Sequence, residues 1–284
     1  MHPAIARRIV HVAGLGGRDR ASSERPENKE QGDYVFGSAP VAEVPSRARR
    51  GDTVLEVGPG KGMLTRALLD AGARVIAVEA DAALVEGLQT RFAHEIAEGH
   101  LELIHGDIRT VGYQKFLTTV TNFGYRVVAN IPYYITGEII RLFLESEHQP
   151  RSMTLLVQKE VAERIARAKK ETLLSLSVKA YGEPHYEFTV PRGAFVPAPK
   201  VDSAVLSIRD ISRKHFASSA DEERFFALIH AGFAHKRKYL RGNLAAAGLP
   251  VPAGLPSAGV PEKARAEDLA LADWLALVRS GDMR

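Results

Sequence analysis

Hydrophobic and polar positions fall into two regimes along the chain. From Gly51 to about Asp210, short apolar runs alternate with segments of helical period. Thr53–Val57, Ala73–Val78, Leu101–His105, Arg126–Ala129 and Met153–Val157 read as strands. Helices are expected at about Met63–Ala71, Ala82–Glu98 and Glu138–Glu145. Strands separated by single helices predict a parallel α/β sheet covered on both faces. Tyr186–Val190 and Ser203–Ile208 read as an antiparallel pair closing that sheet. Beyond Asp210 the strand pattern stops. Asp221–His235 carries Phe225, Leu228, Ile229 and Phe233 on one helical face. A Pro/Gly-rich link, 248–261, then leads to a last helix with Leu271, Trp274, Leu275 and Val278.

The first fifty residues are less regular. Ala4–Val12 has helical spacing at Ile5, Ile9 and Val12, whereas Gly14–Asp33 reads as a mobile loop. Pro40 and Pro45 limit any long helix before Arg50. The expected organisation is an atypical N-terminal segment (1–50), an α/β domain (51–209) and a small helical domain (210–284).

Composition narrows the chemistry. The 284 residues are 45% apolar and 25% charged, as in ordinary folded proteins, with a formal charge of +4 and a pI near 9.2. The mild basicity suits a polyanionic partner. No apolar run approaches a membrane span and no secretory signal is evident, so a cytoplasmic protein without a membrane partner is expected. There is no cysteine. That rules out disulfides, thiolate metal sites and any cysteine nucleophile. For methylation chemistry the absence favours an amino nitrogen as acceptor, because modifying a pyrimidine ring carbon commonly begins with cysteine addition.

Two constellations point to ligands at the carboxyl ends of strands, where open α/β sheets bind them. In the first, Gly58, Gly60 and Gly62 form a G-x-G-x-G turn after the first strand. Position 63 is Met, so the nicotinamide fingerprint is not met. Glu79 ends the second strand about 20 residues on, the place of a ribose-binding acid. Gly106-Asp107-Ile108 ends the third. Gly58 and Gly60 would admit the amino-acid end of one ligand, Glu79 its ribose and Asp107 its adenine. Alternatively, Glu79 and Asp107 simply cap helices. The second constellation is Asn130-Ile131-Pro132-Tyr133-Tyr134. The Asn130 amide, the Pro132 carbonyl and the Tyr133 ring together suit gripping the amino group of a planar base and stacking on it. The plainer alternative is a strand and proline turn whose tyrosines pack the core.

With these motifs together, the chain resembles the ribosomal RNA adenine dimethyltransferases. The residues that carry the resemblance are Val54–Gly60, Gly106-Asp107, Asn130–Tyr134, Gln158-Lys159-Glu160 and Phe195–Ser203, over a match from about Gly51 to the C-terminus. The family implies a Rossmann-like S-adenosylmethionine-dependent domain, a C-terminal helical domain and methylation of adenine N6 in ribosomal RNA. Its enzymes for adjacent adenosines of small-subunit RNA look most similar. By this resemblance Asn130, Pro132, Tyr133 and Phe195 form the catalytic set. Gly58, Gly60, Glu79, Asp107, Ile108 and Asn130 hold the cofactor, S-adenosylmethionine, with no metal. The run Phe233–Arg241 is similar to the family's basic helix, so Lys159, Lys236, Arg237, Lys238 and Arg241 are the expected RNA contacts. A solvated helix face is the alternative for that run. The expected partner is ribosomal RNA or a small-subunit precursor particle, met by a monomer.

Two departures stand out. The family's N-terminal Lys-Ser-Leu-Gly-Gln-His/Asn-Phe-Leu segment is matched only by Lys29 and Gly32 within Lys29–Phe36, while Ala4–Leu15 looks more like the helix that should follow it. Lys169–Leu173 replaces a glycine-containing turn. Three alternatives stay open: a large-subunit methyltransferase conferring antibiotic resistance, a methyltransferase for another substrate, and an RNA-binding assembly factor with impaired catalysis.

Overall fold

A computed structural model describes residues 1–15, 52–110, 113, 116, 124–249 and 260–280. The degenerate Lys29–Phe36 segment and most of the expected loop before it lie outside the described residues. The strands are β1 (Thr53–Val57), β2 (Arg74–Glu79), β3 (Leu101–His105), β4 (Arg126–Asn130), β5 (Ser152–Gln158), β6 (Glu183–Val190) and β7 (Ser203–Arg209). They form one sheet in the order β3-β2-β1-β4-β5-β7-β6. Strands β1 to β5 are parallel, and β7 runs antiparallel to both β5 and β6. The expected α/β class and the closing antiparallel pair are both present. The chain moves outward from β1 to β3, then returns to place β4 on the other side of β1. That reversal opens a crevice at the carboxyl ends of β1 and β4. Leu55 pairs with Val127. Continuing the register sets position 58 alongside position 130.

Alternating side chains divide the core between the two faces of the sheet. Leu55, Val57, Ile76 and Val78 face one layer, covered by α5 (Thr136–Leu144), α6 (Lys159–Ala166) and α7 (Leu173–Tyr181). Val54, Val75 and Ala77 face the other, covered by α1 (Pro3–Val12), α2 (Met63–Asp70) and α3 (Ala82–Arg91). Helix α1 contributes buried Ile5, Ile9 and Val12 and packs beside α2. The early amphipathic segment is therefore an integral part of the α/β layer.

Three expectations change. The helix anticipated over Ala82–Glu98 breaks at Phe92, and a short α4 (Ala93–Ala97) follows. Phe92 is buried beneath the guanidinium groups of Arg66 and Arg91, and its backbone leaves helical geometry to put the ring there. Helix α7 was not evident from the sequence. It starts with a reciprocal cap: Thr172 Oγ1 accepts from the Ser175 N–H at 3.0 Å, and Ser175 Oγ accepts from the Thr172 N–H at 2.7 Å. A serine in place of the usual Glu or Gln hides that signal.

The third correction concerns the basic run. It is not a helix. Helix α8 (Ser219–Phe233) ends before it, and Lys236, Arg237 and Lys238 are exposed on a turn leading to α9 (Leu240–Ala246). Buried Asn243 is the cause. Its Nδ2 donates to the carbonyls of Gly232 at 2.6 Å and His235 at 3.2 Å, ending one helix and holding the turn.

Helices α8, α9 and α10 (Leu271–Ser280) enclose a third core around Trp274. That core closes on Leu176 and Ala180 of α7, so the C-terminal helices dock on the sheet's helical layer. No helix among the described residues is long and apolar enough to cross a membrane.

Candidate functional site

At the β1 end the backbone turns through Gly58 (φ +67°) and Gly60 (φ +58°), and a Cβ built on either meets no atom within 4 Å. Left-handed geometry demands glycine there, and the open space lets a ligand approach the backbone closely. The turn is braced from β2. Gly58 N–H donates to the Val78 carbonyl at 2.9 Å, and Gly60 N–H donates to Glu79 Oε2 at 3.0 Å. Glu79 Oε1 accepts from the Ala80 and Asp81 N–H groups at 2.9 and 3.1 Å. Glu79 is only 8% exposed. It does not cap α3; Asp81 does, accepting from Ala83 and Leu84. Gly106 N–H donates to the Glu79 carbonyl at 2.9 Å, tying in the end of β3. Three strand ends thus form one preorganised rim.

Asp107 lies on that rim, with its carboxylate held by Arg109. Oδ2 accepts from Nη2 at 2.6 Å, and Oδ1 accepts from Nε at 3.0 Å and from the Arg109 N–H at 2.9 Å. The Arg109 guanidinium holds the Asp107 carboxyl below its usual range. Arg109 also reaches Glu138 at 3.3 Å. Ile108 is buried in the core, so only its backbone can meet a ligand at this rim.

Sequence reasoning missed Glu56. It sits in β1 beneath the glycine turn, 1% exposed, and its Oε2 has no hydrogen-bond partner. Burial pushes its carboxyl up to about 8; Thr65 beside it opposes the shift and the nearby Glu79 charge adds to it. The Thr65 hydroxyl is itself buried without a hydrogen bond. An acid inside an otherwise apolar strand was the available signal.

Across the crevice, Asn130 ends β4 and is partly exposed. The Ile131 N–H donates to the Leu156 carbonyl at 3.2 Å, fixing the exit from the strand. The Pro132 carbonyl, the expected second acceptor, takes one hydrogen bond from the Ile135 N–H at 3.2 Å, closing a 3₁₀ turn over Tyr133–Ile135, and keeps a second lone pair. Ile131 itself is buried in the core. The tyrosines do not both pack the core. Tyr133 is half-buried and shares a 2.7 Å hydrogen bond with Ser203 Oγ, whereas Tyr134 is 85% exposed.

Ser203 and its neighbour Asp202 organise this side. Ser203 is fully buried and pairs with Val190 and Gln158. Asp202 Oδ1 accepts from the Arg192 N–H, and its carbonyl accepts from the Lys159 N–H, both at 3.0 Å. Together they join the Tyr133 turn, the Phe195 loop and the start of α6. Phe195 leaves the short Arg192–Ala194 turn half-buried against the α1–α2 layer. Both residues were quoted in the sequence motif, but their bracing role depends on strand pairings not visible there.

The expected cationic residues are distributed over adjoining hollows. Lys159 shares a cleft of about 570 Å³ with Arg192 and Lys200. Lys236 and Lys238 line a second cleft, of about 520 Å³, between the C-terminal helices and Arg164 on α6. Arg241 lines a third hollow, which Lys238 also borders, and pairs with Glu262 at 2.7 Å. Arg237 is exposed and lines none of these.

Comparison with known proteins agrees with this geometry. A family model for ribosomal RNA adenine dimethylase matches residues 43–282. A ribosomal RNA small subunit methyltransferase A of Dehalococcoides mccartyi is 42% identical over 228 residues, covering 78% of this chain and 76% of that one. The protein of that name from Nostoc punctiforme is 39% identical over 243 residues, covering 81% and 83%. Among solved structures, the 23S rRNA methyltransferase ErmE superposes with a TM-score of 0.69 at 24% identity, covering 99% of this chain and 98% of that one. A dimethyladenosine transferase from Plasmodium falciparum gives 0.69 at 23%, covering 99% and 97%. These two structures establish the fold. The family model and the sequence relatives establish more: this chain belongs to the ribosomal RNA adenine dimethylase family.

Proposed function

We propose that this protein transfers methyl groups from S-adenosylmethionine to adenine N6 in ribosomal RNA, dimethylating adjacent adenosines of the small subunit. The observation that carries the reading is the position of Asn130 and Pro132 at the end of β4 beside the open glycine turn, with Tyr133 anchored alongside. In this reading Glu79 binds the cofactor's ribose, Asp107 its adenine, and the Gly58 and Gly60 backbone its amino-acid end. Bound S-adenosylmethionine supplies a methyl group already activated on a sulfonium.

The residues then provide position and electrostatics. The Asn130 side-chain oxygen and the Pro132 carbonyl accept the two N6 hydrogens. That turns the nitrogen lone pair out of the ring plane, toward the glycine turn. Tyr133 and Phe195 hold the faces of the base. The new N6–C bond forms as the methyl–sulfur bond breaks, and one N6 proton leaves to water. Stacking of about 1–3 kcal/mol per base offsets part of the cost of extruding the target.

The C-terminal helices (from about 210) act as the RNA-binding unit. Lys236 and Lys238 contact phosphate across the cleft from Arg164, and Lys159 does so nearer the base. Arg237 and Arg241 contribute at its margins. The protein works as a cytoplasmic monomer on small-subunit RNA or a precursor particle.

The test is methyl transfer from labelled S-adenosylmethionine to small-subunit and large-subunit RNA, followed by digestion to nucleosides. N6-dimethyladenosine from small-subunit RNA is the expected product. Label confined to large-subunit RNA, or label in no adenosine, would overturn the reading.

A further inference from the structure

Tyr134 is the least explained side chain near the site. It follows Tyr133, whose ring is tethered through Ser203, yet it is 85% exposed and makes no hydrogen bond, ring or cation contact among the described residues. On the same side of the crevice, Val196 projects from the Phe195 loop at 93% exposure. Large apolar groups left bare beside a binding site indicate a surface completed by a partner.

The chemistry of that partner follows from the neighbouring charges. Arg192 and Lys200 bracket the Phe195–Val196 loop and line the cleft that also contains Lys159 and Asp202. Neither side chain has an ion pair or hydrogen bond among the described residues. The acids of the cleft are already engaged: Glu160 by Arg164, Glu163 by Lys159, and Asp202 by the Arg192 N–H. The Tyr133–Ser203 and Arg192–Asp202 hydrogen bonds tie the Tyr134 turn to the segment that carries these cations. An exposed aromatic ring with uncommitted cations is the combination that holds single-stranded nucleic acid, the ring stacking a base and the cations meeting its phosphate.

We propose that Tyr134 stacks on the nucleotide adjacent to the methylated adenosine, with Arg192 and Lys200 holding the intervening phosphate. The inference rests on the functional reading above and extends it to a second nucleotide. Tyr133 and Phe195 hold the target base; Tyr134 prevents its neighbour from drawing it back into the stack. Tyr134 is thus a positioning residue for RNA, with no part in cofactor binding.

The experiment compares wild type with Tyr134→Ala, Tyr134→Phe and Tyr134→Trp on small-subunit RNA, measuring kcat/KM for methyl transfer and Kd for S-adenosylmethionine. Loss of one stacking contact predicts a drop of about 5- to 100-fold in kcat/KM for the alanine variant. The phenylalanine and tryptophan variants should stay within about twofold of wild type, because both keep a π-face. Cofactor affinity should be the same in all four. In parallel, Arg192→Ala/Lys200→Ala should lower the slope of log affinity against log salt by about 0.7 for one phosphate contact on a single strand.

Wild-type kcat/KM in Tyr134→Ala would overturn the proposal. So would a phenylalanine variant as weak as alanine, since the hydroxyl would then be the active group. An unchanged salt slope in the double variant would remove the phosphate contact. An inactive wild type would instead bring down the functional reading itself.

Discussion

The two sides of the crevice are built differently. On the cofactor side the candidate acids already have partners: Glu79 accepts three backbone N–H groups and Asp107 is held by Arg109. On the target side, Tyr134 and Val196 stand in solvent. One half is organised by its own backbone, and the other presents surface that only a second molecule can cover. The difference fits a small ligand entering a preformed rim and a large one being wrapped into place.

The largest expected effect breaks the target side alone. Asn130→Ala should lower single-turnover methyl transfer by about 100-fold or more, the scale of losing one preorganised polar group at a reacting centre. Rapid-quench measurement with saturating RNA would show it. Breaking the cofactor side comes next. Glu79→Ala removes a charged acceptor and loosens the glycine turn. Calorimetry should show S-adenosylmethionine affinity weakened by about 10- to 100-fold.

A subtler effect belongs to the RNA-binding turn. Asn243→Ala leaves the Gly232 carbonyl without its buried partner and should cost about 1–3 kcal/mol of stability in chemical denaturation. RNA affinity should fall several-fold as the Lys236–Lys238 turn loses its anchor. An effect on stability alone is a pH dependence. Folded Glu56 keeps its proton up to about 8, whereas its ordinary value is 4.5. The fold binds more protons than the unfolded chain between those values, so this group's stabilising contribution is complete below 4.5 and is lost as pH rises toward 8. Glu56→Gln removes the titration. The variant's melting temperature relative to wild type should therefore rise between about pH 5 and about pH 8.

The same contrast governs what could be read from the sequence. The cofactor side was legible because its parts are local. A strand, a glycine turn and an acid at the next strand end sit within a short stretch, and the Gly60–Glu79 bond spans only 19 positions. The strands and their closing antiparallel pair followed from apolar periodicity for the same reason. The target side depends on distant pairings. Tyr133 is anchored by Ser203, 70 positions away, and no local pattern reveals that only one of two adjacent tyrosines is tethered. Pro132 stood out as an acceptor, but that its carbonyl also closes a turn with Ile135 was not visible in the sequence. The basic run read as a helix because its composition allows one. A buried amide seven positions after Lys236, Asn243, stops it. Glu56 was overlooked because an acid in an apolar strand resembles ordinary alternation until its burial is known.

The most direct test of the contrast is calorimetric titration with S-adenosylmethionine in the absence of RNA, on wild type and on Tyr133→Ala/Phe195→Ala. A preformed cofactor side predicts that both bind with the same affinity while the double variant loses RNA binding. Cofactor binding that requires RNA, or that fails when the two aromatic residues are removed, would contradict the division.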